Sequence, residues 1–226
     1  LSAGVTRAHL KDAGTSETNG EITIDVFPMS QLGGERSMVE QVQDQSDSIA
    51  LTSGVLQSIE EEEEYVLGVI GRLRRFALPI GVSIFPGKGT AERLHAAGVA
   101  EVKFNVEAAT EQLFTKRCPG LSYRSVWDAL EDSVPLFGRN HVFSNLIIRL
   151  GETDREAECC IGNLCELGVI PVLRPLNPAG ELSGFSRPSA ERLLRLFAFH
   201  TEALSAAGLD PTVVIGGKLD TLGGGA

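Results

Sequence analysis

The chain is 226 residues long, 42% hydrophobic and 22% charged, the balance of an ordinary soluble globular protein with enough length for one sizeable α/β domain. A formal net charge of −10 argues against a nucleic-acid binder, which needs a basic face to track phosphates. No stretch approaches the roughly 18 apolar residues that span a bilayer, and residues 1–10 lack the basic start and apolar run of a signal peptide; no membrane partner and a cytoplasmic location are expected.

Short apolar runs alternate with helix-period stretches along the chain. The pattern predicts strands over 22–27 (ITIDVF), 48–51 (SIAL), 80–85 (IGVSIF), 101–106 (EVKFNV), 142–148 (VFSNLII), 169–173 (VIPVL) and 212–215 (TVVI). Between them it predicts helices over 35–43, 58–76, 89–97, 108–114, 123–137, 153–167 and 190–207. Ser58 followed by Glu61 reads as a capping box, and Gly98, Gly138, Gly168 and Gly208 fall where helices should stop in a left-handed cap. Strands alternating with helices of this length imply parallel pairing through right-handed crossovers, in a single domain over 1–226. An open doubly wound sheet and a closed or partial (βα) barrel both satisfy the pattern. Seven readable strands would leave an edge, through which homo-oligomers could form.

The run Glu60–Glu64 has two readings, a solvated first turn complementing the helix dipole or part of a binding site. Four cysteines, Cys118, Cys159, Cys160 and Cys165, form no C-x-x-C pair and read as free buried thiols. His9, His95, His141 and His200 are scattered, as surface or helix-end residues would be; no metal site is expected and no catalytic residue is assigned.

Ligands of parallel α/β folds gather at the carboxyl ends of the strands. Those ends carry Thr52-Ser53-Gly54, Asn105 and Glu107 with Lys103 two residues back, Ser144 and Asn145, then Glu152, and Arg174. Polar residues within apolar strands are costly unless partnered, so Asn105, Glu107, Asn145 and Arg174 read as one facing cluster, or else as ordinary strand-end caps.

The phrases LTSGVLQSIEEEEEYVL, LPIGVSIFP, AGVAEVKFNVEAATEQLF, CPGLSY, LFGRNHVFSNLIIRLGETD and LGVIPVLRPLNP together resemble the middle of a biotin-synthase-like radical S-adenosylmethionine protein, over about residues 48–208. The resemblance implies a full or partial (βα) barrel and an S-adenosylmethionine site. In it Thr52, Ser53 and Gly54 would meet the methionyl amino group, and Asn105 and Glu107 the methionine or ribose. Ile147 and Glu152 match the family's G-x-I-x-G-x-x-E adenine motif, with Asn145 and Arg149 standing where glycines are usual, and Arg174 matches a polar contact of the sixth strand. The family also implies a [4Fe–4S] cluster held by C-x-x-x-C-x-x-C after the first strand, where this chain reads ITIDVFPMSQLGGERSMVEQVQ, without a cysteine. The flanks resemble other families: about 20–43 a TRAP-transporter solute-binding protein, and about 206–226 a Mur ligase, which together imply a chimeric chain. The expected function is a small-molecule-binding radical-SAM-like core that binds S-adenosylmethionine weakly and is inactive without its cluster. The alternatives are a structural scaffold with no evolved ligand and a solute-binding module.

Overall fold

The computed structural model describes residues 39–42, 49–54, 58–178 and 182–212. Six strands follow in chain order: β1 (Val39–Val42), β2 (Ile49–Thr52), β3 (Ile80–Ser83), β4 (Glu101–Lys103), β5 (Val142–Ile148) and β6 (Ile170–Pro175). Six helices accompany them: α1 (Ile59–Leu73), α2 (Thr90–Ala96), α3 (Glu111–Arg117), α4 (Tyr123–Phe137), α5 (Asp154–Leu167) and α6 (Ala190–Ala206). The strand expected at 22–27, residues 213–215 of the last one, and most of the two flanking segments lie outside the described residues.

The strands form one sheet in the order β1-β2-β3-β4-β5-β6, and β2 to β6 are all parallel. This order is the one expected of a (βα) barrel or part of one rather than of a doubly wound sheet. A doubly wound sheet reverses its strand order at a switch point, whereas here every crossover steps the same way. Right-handed crossovers in one direction carry all the helices to one face, which is the arc of a barrel. Among the described residues, β6 is not paired back to β1.

Two expectations fail at the amino-terminal edge. Residues 35–43 were predicted helical, but Val39–Val42 is a strand, and it pairs with β2 antiparallel rather than parallel (Val39 opposite Thr52). The segment offers β-branched valines at both ends, and the free edge of β2 supplies a full row of backbone partners, a gain that outweighs a weak helical period.

Elsewhere local chemistry sets the boundaries. Ser58 accepts a hydrogen bond from the Glu61 amide (3.1 Å) and opens α1. Thr153 and Glu156 make the reciprocal capping box that starts α5, a T-x-x-E signal present in the sequence. Gly168 ends α5 at φ 96°, in the left-handed region a side chain would resist.

The core alternates with the pleat. Ile49, Leu51, Ile80, Val82, Val102, Phe104, Leu146, Ile148 and Leu173 are buried against the helices. Two histidine and cysteine expectations need correction. His200 is buried within α6 on the row Arg192, Leu196, His200, Leu204, spaced to face one side, and burial pushes its imidazole below the ordinary value. Of the four thiols only Cys160 and Cys165 are buried; Cys159 is exposed and Cys118 half-buried, because neighbours on a helix turn to different faces.

Candidate functional site

Register places the expected strand-end residues on one face. Gly81 lies opposite Glu101 and Ser83 opposite Lys103; Thr52 pairs with Ser83, Lys103 with Phe143, and Ile147 with Arg174. Since side chains alternate, Thr52, Ser83, Lys103, Asn105, Asn145, Ile147 and Arg174 all stand on the side opposite the apolar residues above; Glu107, whose positive φ and pairing with Leu146 break the alternation, joins them through its hydrogen bond with Asn105 and the charges of Lys103 and Arg174. In a barrel arc that side is the interior. Gly81 serves the same face: a Cβ there would come within 2.7 Å of the Glu101 carboxylate.

The centre of the cluster is Glu107. Its backbone leaves β4 at φ 57°, yet it still bridges to Leu146: its amide donates to the Asn145 carbonyl (2.9 Å) and its carbonyl accepts from Ile147 (2.9 Å). Burial pushes the carboxyl above its ordinary value, while a hydrogen bond from Asn105 and the charges of Lys103 and Arg174 pull the other way. Asn105 Oδ1 also accepts from the Asn145 amide (3.2 Å), and Asn145 Oδ1 is buried with no hydrogen-bond partner. The half-buried Cys118 lies nearby; burial pushes its thiol up, and the charge of Glu107 adds to the effect.

Three more guanidinium groups gather at the segment 185–187, two from outside it and one its own. Arg117 stacks over the Phe185 ring at 4.5 Å, Arg149 donates to Ser186 (3.1 Å), and Arg187 reaches Asn177 Oδ1 (2.9 Å). Arg174 and these arginines give an acidic chain a basic rim at the carboxyl ends of β4 to β6, with Lys103 buried behind it. A rim cation can bind a carboxylate or phosphate, and Glu107 with Asn105 can hold an ammonium or a diol.

Other expected residues turn inward to the fold. Glu152 is buried, its oxygens accepting from the amides of Arg149 (2.7 Å), Leu150 (2.8 Å) and Gly151 (3.1 Å). Arg192 of α6 closes the cage, with Nη2 3.0 Å from Glu152 Oε1 and Nε 2.6 Å from Asp154. The sequence reading did not single out Arg192. Arg149, at the second glycine position of the adenine-type motif, has φ 96°, a conformation that explains why a glycine would suit that position. Thr52 and Gly54 are exposed at the end of β2, while the Ser53 hydroxyl donates to Glu62.

The glutamate run follows neither of its two readings throughout. Glu60, Glu61 and Glu64 face solvent, but Glu62 and Glu63 are buried. Glu63 binds Arg93 and Thr90 of α2. Burial alone would raise its carboxyl, but those hydrogen bonds and the guanidinium charge hold it below the ordinary value.

The radical-SAM resemblance implies an iron–sulfur cluster, and the residues present do not fit one. Cys118 stands at the sheet mouth and the other three cysteines lie on α5, where burial pushes the Cys160 and Cys165 thiols up to about 12. Among the described residues no group of three His, Cys, Asp or Glu could hold a metal ion. None of the described helices is long and apolar enough to cross a membrane.

Comparison with known proteins gives two different likenesses. Residues 4–66 match the model of the bacterial extracellular solute-binding proteins, family 7, which is less than half of the chain. No curated protein matches it. Among solved structures, a domain of pyruvate-formate lyase-activating enzyme from Bacteroides vulgatus superposes with a TM-score of 0.54 at 11% identity, covering 70% of this chain and 94% of that one. Coproporphyrinogen III oxidase (HemN) from Escherichia coli, described as a radical SAM enzyme, gives 0.51 at 13% identity over 65% of this chain. This chain matches only 37% of the length of HemN. At such identities the likeness establishes the architecture alone: the body of the chain has an α/β fold of the kind found in radical SAM enzymes.

Proposed function

We propose that the chain is a radical-SAM-type core whose polar sheet face binds S-adenosylmethionine weakly and does not cleave it. The supporting observation is the single-face register of Thr52, Lys103, Asn105, Asn145 and Arg174, with Glu107 drawn to them by its hydrogen bond with Asn105 and the charges of Lys103 and Arg174, and with one buried amide oxygen, Asn145 Oδ1, left without a partner. S-Adenosylmethionine carries a carboxylate for the rim cations, and an ammonium and ribose diol for Glu107, Asn105 and Asn145. The positive φ of Glu107 fits the same reading, because strained backbone concentrates where ligands are held. No cleavage step is assigned, since no cysteine trio holds a cluster.

Titration calorimetry with S-adenosylmethionine tests the proposal. Weak, saturable binding that Glu107→Ala and Asn105→Ala each reduce is expected. No heat above dilution refutes it, and so does a stoichiometric cluster after anaerobic reconstitution with iron and sulfide.

A scaffold with no evolved ligand is the second reading. It is favoured by Glu152, whose carboxylate is already spent on its own turn and on Arg192. The chain is also read here as chimeric, a solute-binding-type segment joined to a radical-SAM-type body, since the family model over 4–66 runs into β2 and α1. An intact mass matching 24.1 kDa supports the chain as a single covalent product; any other mass refutes it.

A further inference from the structure

Residues 182–187, between β6 and α6, cross the mouth of the polar face. Phe185 lies under the guanidinium of Arg117 (4.5 Å), at the end of α3 and next to Cys118, which stands within the field of Glu107 beyond β4. Ser186 accepts from Arg149 at the end of β5 (3.1 Å), and Arg187 donates to Asn177 after β6 (2.9 Å). The contacts therefore span the carboxyl ends of three successive strands. Among the described residues the one backbone hydrogen bond of the segment is internal, from the Phe185 amide to the Leu182 carbonyl (3.0 Å), so side chains alone tie it to the sheet. Buried Pro188 and the Ser189 cap of α6 fix its far end. Ser183, Gly184, Ser186 and Arg187 are exposed, and a segment this open, with no backbone pairing to the sheet, lifts at low free energy.

The fastenings have donors to spare. A guanidinium carries five N–H groups, and neither Arg149 nor Arg187 has a carboxylate partner among the described residues. The Leu176 amide donates to the Ile148 carbonyl (3.0 Å), which brings the chain at 149 alongside the chain at 177. One guanidinium from the sheet and one from the segment thus flank the same gap.

We infer that residues 182–187 are a strap over the mouth, and that an anionic group bridging Arg149 of the sheet and Arg187 of the strap holds it shut. The inference rests on the reading of that face as a ligand site, and adds that what the strap closes on bears a carboxylate or phosphate where the two meet. Placing the two guanidinium groups on separate elements is what makes the pair a closing device. An anion held by both links strap to strand end, with the fork geometry that carboxylate and phosphate oxygens match. A neutral or cationic group gains nothing from either.

Cys118, half-buried and one residue from the Arg117–Phe185 stack, reports the state of the strap. The experiment follows its alkylation by iodoacetamide in the native full-length protein, read by peptide mapping. Phe185→Ala should speed that reaction several-fold. Pyrophosphate and malonate, the phosphate and carboxylate forms of the same anion chemistry, should slow it saturably against sodium chloride at matched ionic strength. The anion that acts at the lower concentration identifies the group. Arg187→Gln should abolish the saturable slowing. A rate unmoved by Phe185→Ala, no slowing by either anion beyond that of chloride, or an Arg187→Gln variant that responds as the parent does overturns the inference. Calorimetry with S-adenosylmethionine on the same preparation keeps the two readings apart. An anion response without S-adenosylmethionine binding fails the sheet-face reading alone, and binding without an anion response fails the strap alone.

Discussion

Replacing Arg192 by Met removes the cation that closes the turn after β5. The guanidinium is 9% exposed and the Glu152 side chain 0%, so this is a buried pair; the bond to the 43%-exposed Asp154 adds little in solvent. Removing one partner of a buried pair costs about 3–5 kcal/mol, because the other charge stays behind. Glu152 keeps three amide donors, which places the expected loss near the lower end, about 3 kcal/mol. For a domain of this size each kcal/mol moves the melting midpoint by roughly 2–4 °C, so a fall of roughly 6–12 °C is expected. Urea denaturation followed by circular dichroism and Trp127 emission measures the free energy. Adding Glu152→Gln completes a double-mutant cycle with coupling on the order of 1–3 kcal/mol. A loss below about 1 kcal/mol, or an additive cycle, would refute the claim that this pair is closed from water.

Arg149→Gly relieves a φ of 96° at a strain cost of roughly 1–2 kcal/mol, against roughly 0.5–1 kcal/mol of added chain entropy; a net gain of about 0.5 kcal/mol in urea denaturation is expected, and a loss would contradict it. The Glu63 carboxyl is held below its ordinary value, so its contribution is full above the unfolded pKa of 4.5 and lost as pH falls through the lower folded value. The stability gap between parent and Glu63→Gln should therefore close on acidification; a gap constant from about pH 7 to about pH 3 would count against it. Glu107 is shifted upward, so the sign reverses: stability declines as pH rises from 4.5 through the raised folded value, and Glu107→Gln should remove that slope in denaturation series. With iodoacetamide, Cys159 should react in the native protein while Cys160 and Cys165 wait for denaturant; equal rates by peptide mapping would show the α5 core to be open.

Much of the body is legible from residue pattern. The strand expected over 142–148 is β5 to the residue, and α4 spans the expected 123–137, because both have strong periodicity and clear stops. That Asn105, Asn145 and Arg174 share a sheet face follows from strand alternation, but the place of Glu107 does not, because its positive φ and its pairing with Leu146 break that alternation. Lys103 lies on the same alternation and could have been included from it. Edge pairing of Val39–Val42 was not legible, because what makes it a strand is the backbone of β2. Nor was Arg192, whose partner Glu152 lies 40 residues away and carries no local mark of that distance. His200 did leave a signal, in its four-residue spacing from Leu196 and Leu204, which identifies a buried helical row.

The five glutamates at the start of α1 are chemically identical, but the fold gives them different work. Glu62 reaches back to Ser53 at the end of β2, and Glu63 reaches forward to Arg93 and Thr90 in the following βα unit. A helix turns by about 100° per residue, so inserting or deleting a single glutamate would leave composition and charge density nearly unchanged while rotating both carboxylates off their partners. The run is therefore a measured length: its information lies in how many residues separate Ser58 from Glu62, and a homopolymeric tract that tolerates substitution at Glu60, Glu61 and Glu64 should not tolerate a change of count.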